Sequence, residues 1–190
     1  QAEDILPSVI ILDIMLPQMS GFEVCKRLKN SIKTCNIPVI MLSARSHDFD
    51  ILRGLEIGCD DYLTKPFNEK IFLAKIKAIL RRGIQTISDE PIIKRGDLII
   101  DPQKYEVSIK GKVVFFTNSE FKTLYYLVKN NERILSREKI LDAIHEGYND
   151  CIDRSVDILI ARIRKKLGSY SKHIQSVYGV GYRFIELPEK

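Results

Sequence analysis

The run Val9-Ile10-Ile11-Leu12 leads straight into one carboxylate, Asp13, and Pro17 closes the segment a few residues later. A continuous apolar run of this length between turn signals reads as a strand buried on both faces, as in a parallel α/β sheet. That reading constrains the chain strongly, because parallel strands require crossover connections that lay helices on the sheet. Asp13 would then stand at a C-terminal strand end, where open α/β sheets collect their ligands and chemistry. A single carboxylate there can also be a simple loop cap, so the neighbouring stretches decide its meaning.

Those stretches alternate as the reading requires. Residues 1–6 look like the tail of a helix stopped by Pro7, and Pro17-Gln18-Met19-Ser20-Gly21 is turn chemistry. Phe22, Val24, Cys25 and Leu28 recur at helical spacing, with Lys26, Arg27 and Lys29 expected outside. A second apolar run, Ile37 to Leu42, ends at Ser43-Ala44; a helix over about 47–57 comes next, closed by Gly58. Asp61-Tyr62-Leu63-Thr64 is a short third strand ending at Lys65-Pro66. Asn68 can cap a helix that carries Ile71, Phe72, Ile76 and Ile79 inward, out to Arg81-Arg82. Strand and helix alternation gives a parallel sheet with right-handed crossovers.

Three strand ends therefore present Asp13, Ser43 and Lys65 along one sheet edge. A carboxylate is a nucleophile toward an activated phosphoryl group and yields an acyl phosphate. An ammonium and a hydroxyl can hold the phosphoryl oxygens once they arrive. Ala44 leaves steric room beside Ser43. The plainer alternative is that Lys65 merely neutralises Asp13.

The stretches VIILDIMLPQMSGFEV, MLSAR and GCDDYLTKPF resemble the receiver domain of a two-component response regulator. The resemblance implies a doubly wound, flavodoxin-like (CheY-like) sheet. It implies that Asp13 is the phosphoacceptor, that Ser43 and Lys65 contact the phosphoryl group, and that Tyr62 is the aromatic that turns inward as the hydroxyl moves. The proline after Lys65 is usually cis in that family. The family also holds Mg²⁺, and the positions matching its ligands here are Asp13 and the backbone carbonyl of Met15. The acidic pair that completes the family's metal site precedes the stretch present here, as does its first strand. The chain opens within what would be the second helix, so the expectation is a truncated or degenerate receiver that does not autophosphorylate with acetyl phosphate and Mg²⁺. The Asp13 strand would then be a sheet edge, an aggregation hazard. In the family, copies meet through the fourth helix, fifth strand and fifth helix. Asp60, Asp61 and Lys75 match that face, with Ile51 and Ile71 standing where a basic and an acidic residue are usual, so homodimerisation by this face on activation is expected.

The second half differs in charge. Lys+Arg and Asp+Glu balance at 12 each over residues 1–91, leaving 18 against 13 beyond, so the net +5 lies in the C-terminal half. That asymmetry suggests a nucleic-acid partner for this half. Residues 83–91 lose helical periodicity and read as a linker between a receiver at 1–82 and an α+β domain at 92–190. Short strands at 98–102, 105–109 and 113–116 surround a Lys110-Gly111-Lys112 turn. Thr117 and Glu120 form a capping box, Ser136 caps a second helix, and Asp153 caps a third running to Gly168. On that third helix Val156, Ile160, Ile163 and Leu167 share one face; Arg154, Ile158, Ala161 and Lys165 lie opposite, with Arg162 on the shoulder. Arg and Lys beside short apolar side chains suit a DNA major groove, although a solvated basic face has the same pattern. A terminal hairpin, residues 174–184, completes a winged-helix pattern.

DRSVDILIARIRKKLG and, after it, YGVGYRF resemble the winged helix-turn-helix effector domain of OmpR/PhoB-type regulators. The resemblance implies DNA contacts by Arg154, Ser155, Ile158, Arg162 and Arg164 on the third helix and by Arg183 on the wing, with Lys165 on the same face. Ala161 and Tyr178 stand where the family often has arginine. His145 lies in the loop region that meets RNA polymerase in some members. The expected function is a transcription regulator that binds direct-repeat promoter DNA under the control of a sensor histidine kinase. A regulator independent of phosphate is the alternative.

An enzyme using Asp13 as nucleophile would want a second acid two residues on, and Met15 stands there, so no enzymatic activity is expected. The four cysteines, Cys25, Cys35, Cys59 and Cys151, form no CxxC and read as reduced thiols. No apolar run approaches the ~20 residues of a membrane span. A cytoplasmic location is expected.

Overall fold

A computed structural model describes residues 1–44, 48–84, 90–145 and 154–187, apart from the side chains of 48, 49, 51, 52, 55, 81–84, 145, 154 and 155. The chain divides into two compact units, Gln1–Ile87 and Ser88–Lys190.

The first unit runs α1 (Ala2–Ile5), β1 (Ile10–Asp13), α2 (Gly21–Asn30), β2 (Val39–Ser43), α3 (Asp48–Ile57), β3 (Asp61–Thr64) and α4 (Glu69–Ile84). The strands form a parallel sheet in the order β1-β2-β3, with Asp13 beside Leu42 and Ser43 beside Thr64. Ser20 opens α2 by accepting from the Phe22 N–H, and Asn68 does the same for α4 through the Lys70 N–H at 2.8 Å. One sheet face, Leu12, Val39 and Met41, packs with Phe22, Cys25 and Leu28 of α2 and with Cys59. The other face takes α4, whose Lys75 pairs with Asp61 of β3.

Some expectations change here. Burial is continuous only on β2, from Val39 to Met41; on β1, Leu12 is buried but Ile11 is 42% exposed, because β1 is the sheet's edge. Lys29, expected outside, is buried. Its ammonium bonds Asp60 Oδ2 at 2.7 Å and the carbonyls of Ile37 at 2.7 Å and Cys35 at 3.3 Å. Three acceptors compensate the lost hydration of a charge that helical spacing alone would have sent to solvent. Ile71, expected inside, is 45% exposed, while Ile79 and the Lys75 stem fill the inward side of α4.

The second unit begins with an antiparallel sheet of β4 (Ile93–Arg95), β5 (Leu98–Asp101), β6 (Glu106–Ile109) and β7 (Lys112–Val114). Lys110 and Gly111, both at positive φ, make the tight turn between β6 and β7. Then come α5 (Asn118–Lys129), β8 (Leu135–Ser136), α6 (Arg137–His145), α7 (Arg154–Leu167), a 3₁₀ segment (Gly168–His173), and the hairpin β9 (Ile174–Val177) and β10 (Gly181–Phe184). The second sheet has the order β8-β10-β9. A Cβ on Gly181 would lie 2.0 Å from the Leu135 carbonyl, so only glycine lets β10 approach β8 this closely. The elements β4 and β8 and the 3₁₀ turn are too short to leave a periodic signal, and the sequence gives no sign of them. Glu90, expected in the linker, is tied to α5 by Lys129 Nζ at 2.6 Å and by the Tyr125 hydroxyl at 3.2 Å. The start of the 47–57 helix, the bulk of the linker and the Asp153 cap fall outside the described residues.

Candidate functional site

At the C-terminal edge of the parallel sheet, β1 ends in Asp13, β2 in Ser43 and β3 in Thr64, with Lys65 next. Gly21 makes the start of α2 possible here: its N–H bonds the Ile14 carbonyl at 2.9 Å, and any Cβ would stand 2.2 Å from the Asp13 carbonyl oxygen. The Lys65 ammonium forms an ion pair with Asp13 Oδ2, and the Met15 N–H donates to Asp13 Oδ1 at 2.9 Å. The ammonium and that N–H hold the Asp13 carboxyl below the usual carboxylate range, against the smaller effect of burial. Both side chains stay in reach of solvent, so an incoming reactant meets the carboxylate directly. The Lys65-Pro66 bond is cis, as the resemblance implies.

Ser43 is buried, and its side chain is hydrogen-bonded to Tyr62. Burial pushes the Tyr62 phenol up, keeping it neutral near pH 7. The structure thus forms two couples, Asp13 with Lys65 and Ser43 with Tyr62. Of the positions matching the family's Mg²⁺ ligands, Asp13 is held by Lys65 and the Met15 N–H, and among the described residues no group of three His, Cys, Asp or Glu could hold a metal.

The matched dimer residues are turned inward. Asp60 Oδ2 accepts from Lys29 Nζ and from the Val39 N–H at 2.9 Å, and Lys75 Nζ lies 3.1 Å from both Asp61 oxygens. All three are buried. This corrects the expectation that they present charge to a second copy; the exposed apolar Ile71 remains, and the Ile51 side chain lies outside the described residues.

In the second unit, Val156, Ile160, Ile163 and Leu167 of α7 are buried as their spacing predicts. The outward side carries Ala161 and Lys165, both exposed, with Ile158 half-buried. Among the described residues Lys165 makes no ion pair or hydrogen bond. Four other cations of this region, among the described residues, are engaged within the protein. Arg162 reaches Glu120 Oε1 at 2.7 Å, Lys166 reaches Glu120 Oε2 at 2.5 Å, and that same oxygen accepts from the Thr117 N–H at 2.8 Å. Glu120 is fully buried and the Arg162 side chain only 20% exposed. Arg164 donates to the Ile174 carbonyl at 3.0 Å and to Ser176 Oγ at 2.9 Å, and stacks over the Tyr182 ring. Arg183 is held by Gln175 Oε1 across the hairpin. The side chains of Arg154, Ser155 and His145 lie outside the described residues.

A further cluster is invisible in the sequence. Arg137 of α6 forks onto Asp157 of α7 at 2.7 Å, and the Tyr182 hydroxyl donates to the same Asp157 oxygen at 2.7 Å. Burial opposes the Asp157 charge, but these two donors outweigh it and keep its carboxyl below the usual range. The Arg137–Asp157–Tyr182 triangle joins three elements and leaves no local spacing. A cavity of about 540 Å³ elsewhere in this unit is lined by Arg95, Asp97, Lys110, Lys172, His173 and Glu186. Its main charges already pair, Arg95 with Glu186 at 2.8 Å and Lys110 with Asp97 at 3.8 Å.

Residues 1–77 match the family model for the response regulator receiver domain, and residues 111–184 that for the C-terminal domain of transcriptional regulatory proteins. The phosphate regulon transcriptional regulatory protein PhoB of Pseudomonas aeruginosa is 41% identical over 179 residues, covering 94% of this chain and 78% of the relative. PhoB of Escherichia coli is 42% identical over 181 residues, with the same coverage. A solved structure of a RitR mutant superposes with a TM-score of 0.71 at 25% identity, over 98% of this chain and 84% of that one.

Proposed function

The chain belongs to the two-component response regulators of the OmpR/PhoB type, transcription regulators with a receiver and a winged-helix DNA-binding domain, and we propose that Asp13 is its phosphoacceptor and the outer face of α7 its DNA-reading surface. The observation that carries the first half is the solvent-facing Asp13–Lys65 pair at the sheet's C-terminal edge. A carboxylate oxygen of Asp13 attacks the phosphorus as the bond to the donor's leaving group breaks. Lys65, released from a neutral carboxyl ester, then pairs with the added phosphoryl oxygens. Ser43 would have to leave Tyr62 to reach them, and that exchange is the switch. A sensor histidine kinase is the matching phosphoryl donor. Among the described residues Mg²⁺ finds an incomplete donor set, so no step is routed through it.

For DNA, Ile158 and Ala161 suit thymine methyls and Lys165 suits phosphate or guanine, with double-stranded promoter DNA as the partner. Arg162, Arg164 and Arg183 act first as the framework that fixes α7 and the wing. Homodimerisation would use exposed apolar surface such as Ile71 more than the buried Asp60, Asp61 and Lys75. The setting is cytoplasmic; among the described residues no helix is long and apolar enough to cross a membrane.

The incomplete Mg²⁺ donor set among the described residues favours a second reading, in which this chain binds DNA without phosphorylation. One experiment separates the two: intact mass and duplex binding recorded on the same sample, with and without acetyl phosphate and Mg²⁺. The phosphoacceptor reading predicts that both change; unchanged mass and unchanged binding would favour the second reading. A gain of one phosphoryl mass, abolished by Asp13→Asn and accompanied by tighter binding, would show that phosphorylation governs this chain as it stands.

A further inference from the structure

The cavity of the second unit gathers polar groups that the fold leaves unused. It measures about 540 Å³ and is walled by the β4–β5 turn, the β6–β7 turn and the 3₁₀ segment after α7, a size that suits a small metabolite. Arg95 and Glu186 pair at 2.8 Å and belong to the framework. Lys110 stands 3.8 Å from Asp97, beyond hydrogen-bond reach, so its ammonium and that carboxylate both keep positions open. Lys172 Nζ and Ser169 Oγ, also on the wall, make no ion pair or hydrogen bond among the described residues.

Two rings add further groups. The Tyr170 hydroxyl accepts from the Asp97 N–H at 3.1 Å, and among the described residues its own proton has no acceptor. His173 is buried, stacked on Tyr170 at 4.9 Å and on Phe184 at 5.5 Å. Its Nδ1 lies 2.8 Å from the Ile185 carbonyl, and a carbonyl only accepts, so Nδ1 carries a proton. The other nitrogen, Nε2, has no partner among the described residues and is an acceptor in the neutral ring. A polar atom on a buried ring calls for a partner, and this ring lines the cavity.

We propose that this cavity binds a small phosphate monoester. Lys110, Lys172, Ser169 and the Tyr170 hydroxyl are donors for the phosphoryl oxygens, and the two ammoniums balance the two charges of the dianion. Asp97 and His173 Nε2 are acceptors for hydroxyls of the organic part. The Asp97 carboxylate repels a bare phosphate ion and gains a bond from a hydroxylated ester, so the site selects the ester. The 3₁₀ segment joins α7 to β9, which makes the ligand an input to the second unit itself. The inference depends on neither the Asp13 reading nor the DNA reading.

Calorimetric titration of the full chain at about 0.1 M salt tests it, with ribose 5-phosphate as the probe and ribose and inorganic phosphate as its two halves. The ester should bind with a Kd below about 1 mM, inorganic phosphate at least about tenfold more weakly, and ribose without measurable heat. Lys172→Ala should weaken the ester about tenfold, and Lys172→Arg should stay within about threefold of wild type. Lys139→Ala removes an exposed cation of α6 outside the cavity and should bind as wild type does. Lys172 is exposed, so circular dichroism and thermal unfolding of its ligand-free variants should match wild type. No heat with the ester, inorganic phosphate binding as tightly as the ester, or an equal loss in Lys139→Ala and Lys172→Ala would overturn the inference.

Discussion

Asp13 and Lys65 form a pair that solvent reaches from both sides, so its worth to stability is small, under about 1 kcal/mol. Its chemical effect is larger: the carboxyl stays ionised further into acid than a free aspartate, whose value is 3.8. A depressed carboxyl stabilises the fold above its unfolded pKa, and the contribution is lost as pH falls through the folded value. Lys65→Met should therefore return the Asp13 titration toward 3.8, followed by ¹³C NMR of the side-chain carboxyl. Its urea midpoint should lie slightly below wild type at pH 7 and merge with it in acid, below 3.8. A gap that widens in acid would contradict the assignment. Arg162 offers a second residue-scale test. Its partner Glu120 is buried and shared with Lys166, so Arg162→Ala should lower unfolding stability by about 1–3 kcal/mol. Lys165→Ala should leave stability unchanged and weaken duplex binding, reducing the salt slope by about one. Equal melting curves for Arg162→Ala and wild type would return Arg162 to the base-reading set. Helical projection placed Arg162 on the shoulder of α7 correctly but could not see Glu120, which comes from the distant helix α5.

At the scale of elements, α7 and the hairpin act as one piece because Arg164 crosses between them. Removing that side chain leaves α7's core stripe intact and frees β9. Arg164→Ala should thus raise amide hydrogen exchange in residues 174–184 while residues 156–163 keep wild-type protection. Uniform protection in both would show that the β10–β8 pairing alone holds the wing. The sequence was informative about elements with a period: α2, α5 and α7 bury the residues their spacing selects, with Val24 half-buried. On α4, by contrast, only Ile79 of the selected residues is buried, Phe72 and Ile76 are half-buried and Ile71 is exposed; Lys29 is a further exception. Lys75, one turn on from Ile71, is buried with its ammonium on Asp61, while Ile71 is exposed. Lys29 is buried because three acceptors from distant segments converge on it. Both outcomes depend on non-local partners, which periodicity does not record.

At the scale of the molecule, the sequence showed two functions on two units, and the catalytic-looking residues proved easier to place than the binding ones. Asp13 and Ser43 end successive parallel strands and Lys65 follows the last residue of the third, so topology alone brings them to one edge. The DNA face was harder to read, because Arg162, Arg164 and Arg183 each hold a partner within the domain, which helical spacing does not record. The central claim is that this face, on a chain whose excess positive charge lies in its second half, reads promoter DNA. Selection of the full chain against a random-sequence duplex library, with sequencing of the bound pool, tests it most directly. The predicted result is enrichment of a direct repeat that is lost in the Ile158→Glu, Lys165→Ala double variant while the variant stays folded. A library that emerges with its input composition, or a repeat that the double variant still enriches, would contradict it.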